Sequence, residues 1–550
     1  MNDSHHLMII LIFVALVILS AGCTATDGNG IIQPIFTPST GLSHSGNAVD
    51  SQDDTQLREV IPHLDTYAEK ARERWNVPGM AVAIVKDGKI VFVKAYGTKT
   101  AGGSDPVTPD TVFEVGSTSK AFMAALVAME VDSGRMNWND PVIQYVPDFQ
   151  MSDPWITKEF TLTDALAHRS GLYEKWGQDL ATLGYNQSET IHALRYAEPV
   201  TGFRTTYRYQ NIFYIVDAAA VENTSGMDFE QNVKTRIFTP LDMKSGSTGY
   251  AAFVSEPDHA GLHMIGELPN GTLVPVVTDP DWRFNTITDN LGPAGEINAN
   301  VKDMATWTIF QLGNGTYDGK RLISPENMAY MHTPRIPMAE ESTADSRQYY
   351  CQGWIYQEMN GTPPVVKHTG ETLGNHAYIL MVPQENLGIV VLANEAGIGL
   401  NEDVGDTFYR MYYSTYTPDP ALDTTSPYSG VYKDFLFPKP ALRPENPASP
   451  LPLEQYTGIY TSTVYGTATV AEENGNLTLT LGKDPITLYL SPWDGNTFKS
   501  TCPVWTWGPA YDGRVTFGTS PDGTVRNLTT SLFLQKLFHQ DATFVRTGAG

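Results

Sequence analysis

Leu57, Val60, Ile61, Leu64, Tyr67, Ala68, Ala71 and Trp75 recur at three- and four-residue spacing, with charged residues between them. The spacing predicts an amphipathic helix that stops near Val77-Pro78-Gly79. Two β-rich runs follow, 80–86 and 89–96, separated by Asp87-Gly88, a hairpin signal. The run 121–129 is apolar on every side and predicts a buried helix. A short helix over about 163–168 closes at Gly171, and an apolar helix covers 212–221. Between 222 and 330 much of the chain reads as helical with long loops, ending in an amphipathic helix over 301–312. Strands are predicted over 365–371, 378–382 and 388–393.

Nine prolines between Tyr416 and Pro452 mark an extended, stiff linker. Beyond it, seven or eight short strands alternate with turns such as Asn474-Gly475, Asp494-Gly495 and Asp522-Gly523. That meander predicts a small antiparallel barrel. With 550 residues the chain is too long for one core, so two or more domains are expected.

The formal net charge of −25 argues against nucleic acid as a partner, because phosphate binding needs basic patches. Three cysteines, Cys23, Cys351 and Cys502, give neither a disulfide framework nor a metal-ligand spacing. The twelve histidines show no His-Glu-x-x-His pattern, so neither metal nor cofactor is expected. The apolar run 7–19 followed by Ser20-Ala21-Gly22-Cys23 reads as an export signal or a short anchor. Residues 24–56 read as a flexible stalk rich in Gly, Ser, Thr and Asp. Either reading of the N-terminus places the body outside the cytoplasm and tethers it to the membrane.

The candidate chemistry centres on Phe113-Glu114-Val115-Gly116-Ser117-Thr118-Ser119-Lys120. Ser117 and Lys120 are three residues apart at the start of the apolar helix, so both side chains project from one face. A serine needs a base to become a nucleophile. A lysine serves as that base when burial lowers its pKa. By itself the pair also fits an N-cap serine beside a solvated lysine. Tyr209-Gln210-Asn211 precedes the 212–221 helix; a tyrosine hydroxyl there can relay a proton, or it can be a core tyrosine beside a capping asparagine. His168, at a helix end, reads as a loop-holding histidine rather than a catalytic one. His368-Thr369-Gly370-Glu371 ends a strand expected to lie at a sheet edge beside the Ser117 helix. There His368 can polarise a substrate or donate a proton, Gly370 lets substrate lie along the strand, and the Glu371 N–H can join the helix N-terminus in holding an oxyanion.

These motifs, in this order, resemble the serine β-lactamase, penicillin-binding and esterase superfamily over about 57–415. The 113–120 stretch resembles the active-serine signature of the class C-type branch, Tyr209-Gln210-Asn211 its Tyr-x-Asn motif, and His368-Thr369-Gly370 its third motif. Leu166–Leu172 and Ile237–Met243 resemble two further family segments, with Arg169 and Asp242 as departures. The resemblance implies an α+β fold: an antiparallel sheet flanked by helices, with an all-helical subdomain. It implies Ser117 as nucleophile, Lys120 with Tyr209 as base and relay, His368 in the third-motif position and Asn211 on the substrate amide. The histidine in place of lysine points to peptidase or esterase chemistry over antibiotic hydrolysis. Leu453–Tyr460 resembles the start of a lipocalin-like module fused to such hydrolases. The Ala-Gly-Cys23 sequence resembles a lipoprotein signal, with Cys23 as lipid anchor.

The expected organisation is a lipoprotein-type signal at 1–23, a stalk at 24–56, a hydrolase domain at 57–415, a linker at 416–452 and a lipocalin-like β-barrel at 453–550. The expected function is an extracytoplasmic, membrane-anchored serine hydrolase of small peptides, amides or esters, acting through an acyl-enzyme on Ser117 and open to homo-oligomer formation. The rival readings are a D,D-peptidase, penicillin-binding or β-lactamase activity, and a catalytically silent surface binding protein.

Overall fold

The computed structural model describes residues 55–415, 442–502, 513–530 and 541–548. The expected signal, Cys23 and most of the stalk and linker lie outside the described residues.

The first helix, α1 (Thr55–Trp75), buries Leu57, Val60, Leu64, Ala68, Ala71 and Trp75, the apolar stripe of its sequence. The Asp87-Gly88 turn joins β1 (Gly79–Lys86) to β2 (Lys89–Gly97) as an antiparallel pair, Asp87 and Gly88 both having positive φ. Five more helices and strands complete the frame around this hairpin. They are α2 (Ser119–Asp132), α3 (Ile212–Ser225), α4 (Val301–Leu312), β3 (Ile336–Pro337) and β4 (Ser346–Tyr350). Four further strands and a helix follow: β5 (Ile355–Met359), β6 (Thr362–Glu371), β7 (His376–Val382), β8 (Leu387–Ala393) and α5 (Leu400–Tyr412). The strands form one eight-stranded sheet in the order β3-β4-β5-β6-β7-β8-β1-β2. Within it β6, β7, β8, β1 and β2 pair antiparallel.

The sheet is apolar on both faces because helices cover both. Side chains on successive residues point to opposite faces. Ala377, Ile379 and Met381 accordingly join the core beneath α2 and α4, while Tyr378, Leu380 and Val382 join the core beneath α1 and α5. Helix α2 is buried from Ser119 to Glu130, which explains its all-apolar sequence. Phe122 of α2 stacks on Trp307 of α4 with ring centroids 3.8 Å apart.

Helices do make up much of 222–330, but short strands lie between them: His263–Glu267 pairs with Leu273–Val277, and Ile297–Asn300 pairs with Val112–Glu114 and Ser247–Thr248. One expectation is corrected. The strand carrying His368 is not an edge strand, since β6 lies between β5 and β7. Yet β5 pairs with β6 only as far as Lys367, so residues 368–371 bond to β7 alone. The Ser117 turn packs against that end, as described below.

The C-terminal strands close into an eight-stranded barrel: β9 (Gly458–Ser462), β10 (Gly466–Glu473), β11 (Asn476–Leu481), β12 (Ile486–Asp494), β13 (Thr497–Thr501), β14 (Gly513–Thr519), β15 (Val525–Thr530) and β16 (Ala542–Gly548). Closure by β9 against β16 removes the sheet edges. Alternate residues, among them Leu477, Leu479 and Leu481, or Ile486, Leu488 and Leu490, are buried. Tyr456 packs on Phe517 and Phe498 at 4.7 and 5.0 Å between ring centroids. Cys351 is a buried free thiol, and Cys502 is also buried. Among the described residues no helix is long and apolar enough to cross a membrane, and no group of His, Cys, Asp or Glu could hold a metal ion.

Candidate active site

Strand Val112–Glu114 delivers the chain to a 3₁₀ turn, Gly116–Thr118, that runs into α2. Ser117 therefore sits one turn ahead of the regular helix. Gly116 has φ +52° and lies against β6, where an added Cβ would sit 2.5 Å from the Glu371 nitrogen. Gly370 is equally enclosed: its Cβ would overlap the Val115 carbonyl oxygen and lie 2.9 Å from the Ser117 nitrogen. Two glycines thus let two backbones meet, which brings the Ser117 and Glu371 amides beside one another. Paired amides at a serine are the arrangement that holds an oxyanion.

Lys120 Nζ lies 3.0 Å from Ser117 Oγ and donates to the Ala294 carbonyl at 2.8 Å. The Tyr209 hydroxyl donates to Ser117 Oγ at 2.8 Å. Lys120 is fully buried, and burial, reinforced by the Lys175 charge, holds its pKa well below the usual lysine range. Burial pushes the Tyr209 phenol up. Of the two groups the amine is therefore the one whose environment favours a free lone pair, and the phenol keeps its proton. Lys120 Nζ also lies 4.8 and 5.1 Å from the ring centroids of Tyr209 and Tyr214. Those π-faces and the Ala294 carbonyl can receive the positive charge formed when Lys120 takes a proton.

The second motif is held from below by His168. Its backbone has φ +56°, and its Nδ1 accepts the Gln210 N–H at 3.1 Å. Its ring packs 4.4 Å from Tyr209 and 4.3 Å from Tyr350. Burial, with the nearby Lys120 and His368, keeps His168 neutral. Asn211 donates from Nδ2 to Gln178 at 3.0 Å, and its buried Oδ1 has no partner among the described residues. An unpaired buried carbonyl of this kind is available to a substrate N–H.

His368 is buried, and burial with the Lys120 charge holds its pKa down to about 3. Nδ1 lies 2.6 Å from the Thr369 carbonyl and Nε2 lies 2.9 Å from the Tyr350 hydroxyl. A carbonyl only accepts, so Nδ1 carries the proton and Nε2 accepts from Tyr350. Beyond it, the Thr369 hydroxyl donates to Glu402 at 2.6 Å. His376 Nε2 lies 2.9 Å from the same Glu402, and its Nδ1 lies 3.3 Å from Glu371. Burial lowers the His376 pKa, but Glu402 and Glu371 outweigh it and raise it to about 10. A charged histidine–glutamate pair thus underlies the end of β6.

Ser117, Lys120 and Tyr209 are brought into direct contact, Gly370 and Glu371 lie against the Ser117 turn, and His368 is linked to Tyr350 and the β6 backbone. Sequence reasoning missed the Ala294 carbonyl, Tyr350 and the His376–Glu402 pair. The Gly292-Pro293-Ala294-Gly295 segment, whose glycines permit close backbone approach, is the local signal for the first. The other two carry no local signal.

The profile of the beta-lactamase family matches residues 64–409, and that of a domain of unknown function, DUF3471, matches 442–545. Among curated proteins the chain is 27% identical to "Unguisins hydrolase ungD'" of Aspergillus campestris, over 76% of this chain and 78% of that protein. It is also 27% identical to "Protein flp" of Staphylococcus aureus, over 60% of this chain and 62% of that protein, so it spans less than two thirds of flp. Among solved structures, the octameric penicillin-binding protein homologue from Pyrococcus abyssi superposes with a TM-score of 0.56 at 19% identity. The alignment covers 88% of this chain and all of that one, and it bears on the fold alone. With a family profile spanning most of its length and a buried lysine hydrogen-bonded to a serine in the site, this chain belongs to the beta-lactamase family and is a serine hydrolase.

Proposed function

We propose that the protein hydrolyses small peptide, amide or ester substrates through an acyl-enzyme on Ser117. The observation that carries this reading is the convergence of Lys120 Nζ and the Tyr209 hydroxyl on one serine oxygen, at 3.0 and 2.8 Å. Ser117 Oγ attacks the substrate carbonyl carbon as its proton passes to the neutral Lys120 amine. The carbonyl oxygen takes the negative charge between the Ser117 and Glu371 amides. The C–N or C–O bond then breaks, and the leaving group takes a proton relayed from Lys120 through Tyr209. Water repeats the sequence on the ester and returns Ser117.

Asn211 Oδ1, buried without a partner, is proposed to accept a substrate amide N–H. His368 is proposed to act through Tyr350 and the β6 backbone rather than as a proton donor, because its Nδ1 proton is committed to Thr369. A neutral histidine at this position supplies no cation for a substrate carboxylate, which favours esters and amides over D,D-carboxypeptidase substrates. The N-terminal sequence supports an extracytoplasmic protein tethered through Cys23.

Turnover of p-nitrophenyl esters, D-amino-acid amides and a chromogenic β-lactam by the purified protein tests the reading. Ester or amide turnover that vanishes in Ser117→Ala is expected. Turnover of the β-lactam alone would overturn the substrate assignment.

A further inference from the structure

The segment 173–185 has two sides. Facing the site, the Lys175 N–H donates to the Tyr209 carbonyl at 2.7 Å, Gln210 Nε2 donates to the Tyr173 carbonyl, and Gln178 holds Asn211. Its backbone holds one short helix, Gln178–Thr182, flanked by turns with positive φ at Lys175, Gly177 and Gly184.

Facing away, the same segment is held by the barrel. The Leu183 carbonyl accepts from both Lys483 (2.8 Å) and Asp484 (3.2 Å) backbone N–H groups in the β11–β12 turn. Gly184 has no room for a Cβ, which would lie 2.6 Å from that of Asp484. Lys483 pairs with Glu189, and Arg283 pairs with Asp484 and donates to the carbonyls of Asp484 (3.0 Å) and Pro485 (3.2 Å). In the neighbouring β9–β10 turn Tyr465 is hydrogen-bonded to Tyr173 through the side chains. Trp176, Leu180 and Leu183 share one buried apolar cluster with barrel residues Tyr465, Leu481 and Ile486.

We propose that the β11–β12 turn and Tyr465 clamp the 173–185 segment and thereby set the position of Tyr209 and Asn211, so that the barrel tunes substrate selectivity rather than binding a ligand of its own. The proposal rests on the serine hydrolase reading above. The segment's inward bonds reach Tyr209, Gln210 and Asn211; on its other side the barrel turn holds the Leu183 carbonyl, beside a single bond from Asn290 Nδ2 to the Ala181 carbonyl at 3.2 Å. A substrate that uses Asn211 for orientation depends on that support, because a displacement of about 1 Å costs on the order of 100-fold in rate. A small probe that reacts with Ser117 without using Asn211 does not.

The test uses the full chain carrying Tyr465→Phe together with Lys483→Glu, and the same chain with Glu189→Lys added to restore the ion pair in reverse. Three readouts are taken: amide hydrogen exchange of residues 176–184, kcat and KM for p-nitrophenyl acetate and for an N-acyl amino-acid p-nitrophenyl ester, and the rate of fluorophosphonate labelling. We expect faster exchange in 176–184 and a kcat/KM about tenfold lower for the N-acyl ester, mostly through KM. Labelling and acetate turnover should stay within about twofold, and the Glu189→Lys addition should recover part of the loss. Unchanged exchange would overturn the proposal. So would faster exchange with equal effects on both esters. Absence of labelling in the wild type would strike the hydrolase reading instead, and the exchange arm would still decide whether the barrel holds the segment.

Discussion

The Tyr350 hydroxyl sits 2.9 Å from His368 Nε2, and that bond fixes the third-motif histidine as a neutral acceptor. With Nδ1 committed to the Thr369 carbonyl, both ring nitrogens are used within the protein. Replacing Tyr350 by Phe leaves a buried acceptor unpaired, which costs about 1–3 kcal/mol. Urea denaturation should show that loss, and kcat should fall less than it does in Tyr209→Phe.

Tyr209→Phe removes the phenol hydrogen-bonded to Ser117 Oγ while keeping the ring that packs on His168. Loss of a positioned proton relay costs on the order of 10²–10⁴ in rate. Steady-state kinetics should show this in kcat, with the melting temperature little changed. A rate within threefold of the wild type would remove Tyr209 from the relay.

Gly370→Ala places a methyl group against the Val115 carbonyl and 2.9 Å from the Ser117 nitrogen. Both neighbours are backbone, so β6 or the serine turn must move. A rate loss of about 100-fold or more is expected, because the two amides proposed to hold the oxyanion no longer face one site. The corresponding change at Gly134, where nothing surrounds an added Cβ, is the control for the added methyl, although its positive φ brings some strain of its own.

The two histidines of the third-motif region give opposite pH signatures. His376 is raised from its usual value to about 10 by Glu402 and Glu371, so the stability it contributes is complete below pH 6.5 and is lost as pH rises towards 10. His368 is lowered to about 3, so the unfolded chain binds its proton more readily and stability falls as pH drops from 6.5 towards 3. Thermal melts of the wild type beside His376→Gln/Glu402→Gln should show the alkaline loss reduced in the double variant and the acid loss retained.

Local patterns were legible where one residue type decides the outcome. The Asp87-Gly88 hairpin, the all-apolar α2 and the alternating barrel strands each follow from a short window of sequence. Strand Ile297–Asn300 was not legible, because a four-residue strand has no period to read and is defined by its partners, Val112–Glu114 and Ser247–Thr248. The position of β6 inside the sheet was hidden for the same reason, since β5 joins it only as far as Lys367. At the site, Ser117 and Lys120 share one helix face and were readable. The Ala294 carbonyl is a backbone group that any residue could supply, and His376 and Glu402 meet only because β7 and α5 fold together.

The central claim is that a neutral, buried Lys120 activates Ser117. Fluorophosphonate labelling of the purified protein, followed by intact mass and peptide mapping across pH, tests it most directly. The account predicts one adduct on Ser117, formed at a rate that falls below the depressed pKa of Lys120, absent in Ser117→Ala and slowed at least 100-fold in Lys120→Ala. Labelling of Lys120→Ala at the wild-type rate, or none in the folded wild type, would contradict it.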